Sequence, residues 1–96
     1  MSAFIIGRMQ IHKKDWMDEY FSKVPELIEQ HEGKFVVRGG GPKLLEGEEG
    51  LPDAVFVIEF PSREQAEKFW SCDEFQPLVA LRQTGSTLNA MLVDKL

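Results

Sequence analysis

The stretch AVFVIEFPSREQAEKFW, Ala54 to Trp70, changes its hydrophobic period part-way along, and that change decides the fold. Ala54 to Phe60 is rich in β-branched and aromatic side chains and reads as the clearest strand in the chain. Ser62 and Gln65 then form a capping box for a helix whose Ala66, Phe69 and Trp70 recur at helical spacing. Outward toward the C-terminus, Asp73 and Gln76 repeat the device before a second helical piece. That piece runs through Leu78, Val79 and Leu81 to Arg82 and ends near Gly85, and Leu88 to Val93 is the last strand. Outward toward the N-terminus, the polar segment Gly47 to Asp53 is a loop, and Lys43 to Glu46 suits a short edge extension. Lys34 to Gly40 is a strand that ends in the run Gly39, Gly40, Gly41 before Pro42. Ahead of it lies a helix capped by Asp15, with Trp16, Tyr20, Val24, Leu27, Ile28 and His31 at three- and four-residue steps and Gly33 as its stop. Pro25 inside that helix removes a backbone bond and predicts a kink or break near Phe21 and Ser22. Phe4 to Ile11 alternates and is the first strand.

The order strand, helix, strand, strand, helix, strand is the split βαβ arrangement of a ferredoxin-like fold, an α+β class with both helices on one face of an antiparallel sheet. Alternation assigns Ile5, Met9, Ile11, Phe35, Val37, Phe56, Ile58, Phe60, Leu88, Ala90 and Leu92 to the helix-covered face. The other face then carries Phe4, Ile6, Val36, Val55, Val57, Met91 and Val93 together with Arg8, Gln10, Arg38, Glu59 and Asn89. It is too apolar for water, and a second copy of the chain is the simplest cover. Two such sheets face to face make a dimeric α+β barrel with a partly polar interior. The alternative is a monomer whose open sheet face is half polar, a common state of antiparallel sheets.

A chain of 96 residues fits one domain, 1–96. Its 43% hydrophobic and 28% charged residues are those of a globular domain. The formal net charge of -5 opposes broad attraction to nucleic acid. The one cysteine, Cys72, excludes an internal disulfide framework and fits a reducing compartment. The N-terminal segment has no export signal, and no run approaches the roughly 20 apolar residues of a membrane span, so a cytoplasmic protein without a membrane partner is expected.

Several runs carry a family likeness: YFSKVPELI (Tyr20 to Ile28), Gly33, FVVRGG (Phe35 to Gly40), LEG (Leu45 to Gly47), VIEFPS (Val57 to Ser62) and FQPLVALR (Phe75 to Arg82). In order and spacing they resemble the uncharacterised family called domain of unknown function 1330, over nearly the whole chain. That family is similar to the dimeric α+β barrel superfamily, which also holds cofactor-free monooxygenases, muconolactone isomerases and haem-binding relatives. The resemblance implies the same dimer and no established activity. This chain departs from the family pattern at Phe75, where members tend to have tyrosine, and in Glu48 to Asp53, which lacks the tryptophan often found before the third strand.

Chemistry is concentrated in few side chains. Arg8, Arg38 and Glu59 fall on one predicted face of three strands, and an arginine fork suits a carboxylate, an enolate or a phosphate. One reading is an anion pocket inside the barrel, with Arg8, Arg38 and Asn89 holding a small organic anion and Glu59 or His12 moving protons. The other is a non-catalytic homodimeric module, structural or regulatory, whose buried charges only fix the interface. Arg38 is expected in the barrel, with Glu59 as its nearest anion. His12, at the end of the first strand, reads either as a base at the barrel mouth or as a solvated strand end, and His31 complements the C-terminal dipole of its helix. Two distant histidines and one cysteine show no metal-ligand spacing, so neither a metal nor a cofactor is expected. The Gly39 to Gly41 run lacks the lysine and hydroxyl residue of a phosphate loop and suits a bulge or sharp exit. Cys72, followed by Asp73 and Glu74, lacks the electropositive setting that activates a thiol. Trp16, Tyr20, Phe69 and Trp70 read as core, and Glu46, Glu48, Glu49 and Asp53 as a solvated loop.

Overall fold

Alternation sets the sheet. In the computed structural model, which describes residues 2–96, the first strand β1 (Ala3–Ile11) buries Ala3, Ile5, Gly7 and Met9 and exposes Arg8 and Gln10. The remaining elements are α1 (Met17–Gln30), β2 (Lys34–Gly40), β3 (Ala54–Phe60), α2 (Arg63–Ser71), α3 (Gln76–Gln83) and β4 (Ser86–Asp94). The strands form one antiparallel sheet in the order β2-β3-β1-β4, the ferredoxin-like order, with β1 in the middle between β3 and β4. All three helices lie on one face, giving a slab of 35 × 34 × 16 Å whose thin dimension is one sheet and one helix layer.

Between sheet and helices the core is aromatic. Trp16, Phe60, Phe69, Phe75 and Ile28 are almost wholly buried. Phe69 stacks on Phe60 at 5.5 Å and meets Phe75 at 4.5 Å between ring centroids. Full burial of each such phenylalanine stabilises the fold by about 1.5–3 kcal/mol, so these three rings tie α2 and the start of α3 to β3. No helix among the described residues is long and apolar enough to cross a membrane.

Helix ends depart from the sequence expectations. Asp15 does not cap α1; Trp16 occupies that position with no side-chain cap, and its indole Nε1 donates to the Lys13 carbonyl at 2.7 Å. The helix runs unbroken through Pro25. A proline withholds only its own donor, and packing of Val24, Leu27 and Ile28 holds the next turn in place. At its C-terminus Gly33 N–H donates to Ile28 O and Glu32 N–H to Glu29 O, both at 2.9 Å, a Schellman closure. The left-handed residue in it is Glu32, with φ 64°, not Gly33. Gly33 is required instead by space, since a Cβ there would lie 2.5 Å from the Phe60 ring.

Ser62 caps α2 as expected, accepting from Gln65 N–H at 3.2 Å. Asp73 makes no such cap for α3. Gln76 reaches back instead, donating to the Trp70 and Cys72 carbonyls at 3.0 and 3.2 Å, which ties the start of α3 to the end of α2. Lys43 to Glu46 adds no strand. After β2, Gly41 (φ 64°) turns the chain into an irregular loop that returns to β1, where Asp53 accepts from Ile11 N–H at 2.8 Å.

Candidate functional site

A single irregularity in β2 decides where the chemistry sits. Phe35 pairs with Ile58, but Val37 pairs with Val57 and Arg38 with Phe56, so Val36 is an extra residue bulged out of the ladder. Beyond the bulge every side chain changes face. Ile58 and Phe56 look toward the helices, and Phe35 and Arg38 therefore share that side, while Val37 joins Val57 on the open face. Strict alternation puts Arg38 in the barrel and Val37 under the helices; the structure reverses both placements, because one inserted residue shifts a period-two pattern by one.

Arg38 thus stands at the rim of a cleft between α1 and the sheet, of about 640 Å³ and open on one side. Its guanidinium carbon lies 5.6 Å from the Phe21 ring centroid and 5.2 Å from that of Phe35, so two aromatic faces hold the cation. Tyr20, Phe21, Val24 and Pro25 of α1 form one wall, Phe35, Phe56 and Ile58 the floor, and Phe69, Trp70 and Phe75 the far end. The volume lies within the 300–1,000 Å³ range of small-molecule sites, and the lining has their usual apolar and aromatic character. No carboxylate or imidazole lines it.

Behind the wall is a second cation. Arg82 of α3 is 3% exposed, and its Nη1 donates to the Tyr20 hydroxyl at 3.0 Å. Its guanidinium carbon is 5.7 Å from the Tyr20 ring and 5.9 Å from that of Trp70, both residues of the cleft lining. Its Nε is buried without a hydrogen-bond partner. Neither Arg38 nor Arg82 forms an ion pair with a carboxylate among the described residues. Burial raises the Tyr20 pKa above its ordinary value of 10.0, and the charge and hydrogen bond of Arg82 oppose that rise without cancelling it. The phenol therefore keeps its proton at neutral pH.

The structure does not gather the other expected site residues. Glu59 pairs with Lys34 of β2, at 3.8 Å, and with neither arginine. Arg8 is held by the loop, donating to Glu49 at 3.3 Å and to the Gly50 carbonyl at 3.0 Å, so part of the acidic loop serves as its anchor. Asn89 is the cross-strand neighbour of Arg8 on the open face of the sheet. His12 is exposed at the end of β1, with Nε2 2.9 Å from Thr87 Oγ1. Glu59 faces Phe4 near the other end of β1, eight residues from His12, which at the rise of a strand is on the order of 25 Å. Those two groups do not share a ligand within one protomer.

Across residues 2–96 the chain matches the model of the domain of unknown function DUF1330. It belongs to the DUF1330 family. Among solved structures this DUF1330 chain is similar to a protein of unknown function from Rhodopseudomonas palustris, at 17% identity and a TM-score of 0.83, covering 99% of this chain and 82% of that one. It is also similar to a dimeric ferredoxin-like protein of unknown function from Jannaschia sp. CCS1, at 11% identity and a TM-score of 0.76, over 99% of this chain and 100% of that one. A third likeness is to SnoaB, a cofactor-independent oxygenase from Streptomyces nogalater, at 14% identity and a TM-score of 0.70, over 99% and 93% of the two chains. These likenesses show the fold. No curated protein matches the chain.

Arg82 is the residue that sequence reading passed over, as a cation ending a helix. A signal was present: Phe75, Leu78 and Arg82 stand at i, i+3 and i+7, one stripe of a helix, and the first two are buried. Continuing the stripe puts Arg82 in the core.

Proposed function

We propose that this DUF1330 protein is a homodimer that binds a small organic anion with an aromatic body, and that the ligand lies in the cleft between α1 and the sheet rather than between two sheets. The observation that supports this reading most directly is the charge of the cleft. In a chain with a formal net charge of -5, a largely apolar cavity has Arg38 at its rim, Arg82 behind it and no carboxylate in its lining. Arg38 is exposed at the rim, where its attraction is partly screened by solvent, and with Arg82 behind the wall it gives the mouth of the cleft a positive bias that favours an anionic ligand over its neutral analogue. The ring-rich lining favours a flat apolar body. With neither a carboxylate nor an imidazole in the lining to act as a base, the arrangement suits binding more than proton transfer. The same fold serves a cofactor-independent oxygenase in SnoaB, a precedent for small-molecule work on this framework.

The dimer reading rests on the open face of the sheet. Val36, Val37 and Met91 are 52%, 46% and 57% exposed, and they continue an apolar surface with Phe4, Ile6, Val57 and Val93. A second copy covers such a face with at least about 1,000 Å² of interface.

Thermal-shift titration with 2-naphthoate, against neutral 2-naphthamide, tests the ligand reading. The carboxylate should raise Tm and the amide should do so less. Arg38→Met should weaken 2-naphthoate binding about tenfold or more, the worth of a hydrogen bond to a charged group, with the stability of the free protein lowered only by the loss of its exposed cation–π contacts, about 0.5–1 kcal/mol each. Equal responses to acid and amide, or no response to either, would overturn it.

A further inference from the structure

Building on the cleft reading, we propose that Tyr20 and Arg82 form its second polar contact, in which Arg82 fixes the phenol and Tyr20 donates its hydroxyl proton to an uncharged oxygen of the ligand. The ligand class follows: a ring compound with an anionic group at one end, facing Arg38, and a carbonyl-type acceptor at the other, facing Tyr20.

The Tyr20 hydroxyl accepts from Arg82 at 3.0 Å, and its own proton has no acceptor among the described residues. Tyr20 lines the cleft, and a hydroxyl that accepts a charge-assisted bond and donates none to the protein keeps its proton for a partner in the cleft. Receiving a bond from a cation also polarises the O–H and makes it a better donor. Arg82 itself is 3% exposed, lacks a carboxylate and leaves Nε unpartnered. That is a costly arrangement for a group whose only role is structural, since replacing such a buried cation together with its partner by apolar side chains is often neutral or stabilising. The ligand's body is set by the rings between the two polar ends. Arg38 packs over the Phe21 ring at 5.6 Å and Phe21 meets the Tyr20 ring edge-on at 5.2 Å, so both polar ends border one run of rings, and a flat aromatic body suits the space between them. Tyr20 is then a binding residue and Arg82 a positioning residue.

Two isosteric probes decide the matter. 6-Acetyl-2-naphthoate carries the carbonyl oxygen; 6-isopropenyl-2-naphthoate has the same shape without it. The wild-type protein should bind the acetyl compound about five- to tenfold more tightly, the value of one net hydrogen bond, and Tyr20→Phe should abolish that preference while still binding the isopropenyl compound as the wild type does. A second readout needs no variant: Tyr20 is the only tyrosine of the chain, so the tyrosine Raman doublet reports its hydroxyl alone. The doublet should move from its acceptor-only ratio toward a donating ratio with the acetyl probe and stay put with the isopropenyl probe. If both probes bind equally well and the doublet does not move, the Tyr20 contact is wrong while the anion cleft stands. If neither probe binds, both readings fall.

Discussion

Arg82 and Tyr20, sixty-two residues apart in the chain, meet at 3.0 Å inside the protein, guanidinium to phenol, without a carboxylate joining them. An arginine cannot shed its proton, so a full charge is kept in the core, where Nη1 donates to Tyr20 and Nε finds no partner among the described residues. The first prediction concerns that charge. Replacing a poorly compensated buried cation and its partner by apolar groups of similar shape is often neutral or stabilising. The double variant Arg82→Met, Tyr20→Phe should therefore unfold in urea at a midpoint no lower than that of the wild type. Arg82→Met alone, which leaves the Tyr20 hydroxyl without a partner, should cost about 1–3 kcal/mol. A double variant less stable than Arg82→Met alone would contradict this account.

Tyr20 also gives a clean pH experiment. Its pKa in the folded protein lies above the unfolded value of 10.0, chiefly through burial. The folded state then holds its proton more tightly than the unfolded state does. The corresponding stability is fully present below pH 10 and is lost as pH rises through the folded pKa. As the one tyrosine in the chain, it accounts for the whole tyrosinate band in the ultraviolet. Alkaline titration of the folded protein should show a midpoint above 10, and Arg82→Gln, by removing the one opposing influence, should move it higher still. A wild-type midpoint at or below 10 would contradict the burial seen here.

Glu32 occupies the left-handed position of the α1 Schellman closure, with φ 64°. A side chain with a Cβ costs about 1–2 kcal/mol there and glycine almost nothing. Its one side-chain contact is an exposed 3.5 Å hydrogen bond from Gln65. Glu32→Gly should accordingly raise stability by about 0.5–1 kcal/mol after the entropy that glycine adds to the unfolded chain, read as a higher urea midpoint at unchanged m-value.

Met91 is 57% exposed on the edge strand β4 of the open sheet face, opposite Ile6 of β1. If a second copy covers that face, Met91→Lys places a charge in the interface, and light scattering should show the dimer mass fall to that of one chain while the circular dichroism spectrum is kept. A wild-type protein of monomer mass at micromolar concentration would contradict the dimer.

Much of this molecule was legible in the residues alone, for a physical reason in each case. Alternation in Phe4 to Ile11 and in Ala54 to Phe60 assigned the faces of β1 and β3 correctly, because both strands are paired on both sides and free of irregularity. The helix-spaced apolar residues of α1 and the Ser62 cap of α2 are local features, and local sequence fixes them. Five short runs in order also marked the DUF1330 family, which the match over residues 2–96 shows. The site was not legible in the same way. Whether Arg38 faced the open side of the sheet or the helices turned on Val36, and a bulge is a property of the pairing between two strands rather than of either sequence. The partnership of Arg82 with Tyr20 depends on how α3 packs against α1. Composition and spacing determined the sheet, the helices and the apolar open face; tertiary packing alone decided which two of the chain's arginines flank a cavity, because side chains far apart in sequence share a cleft only once the layers have closed on each other.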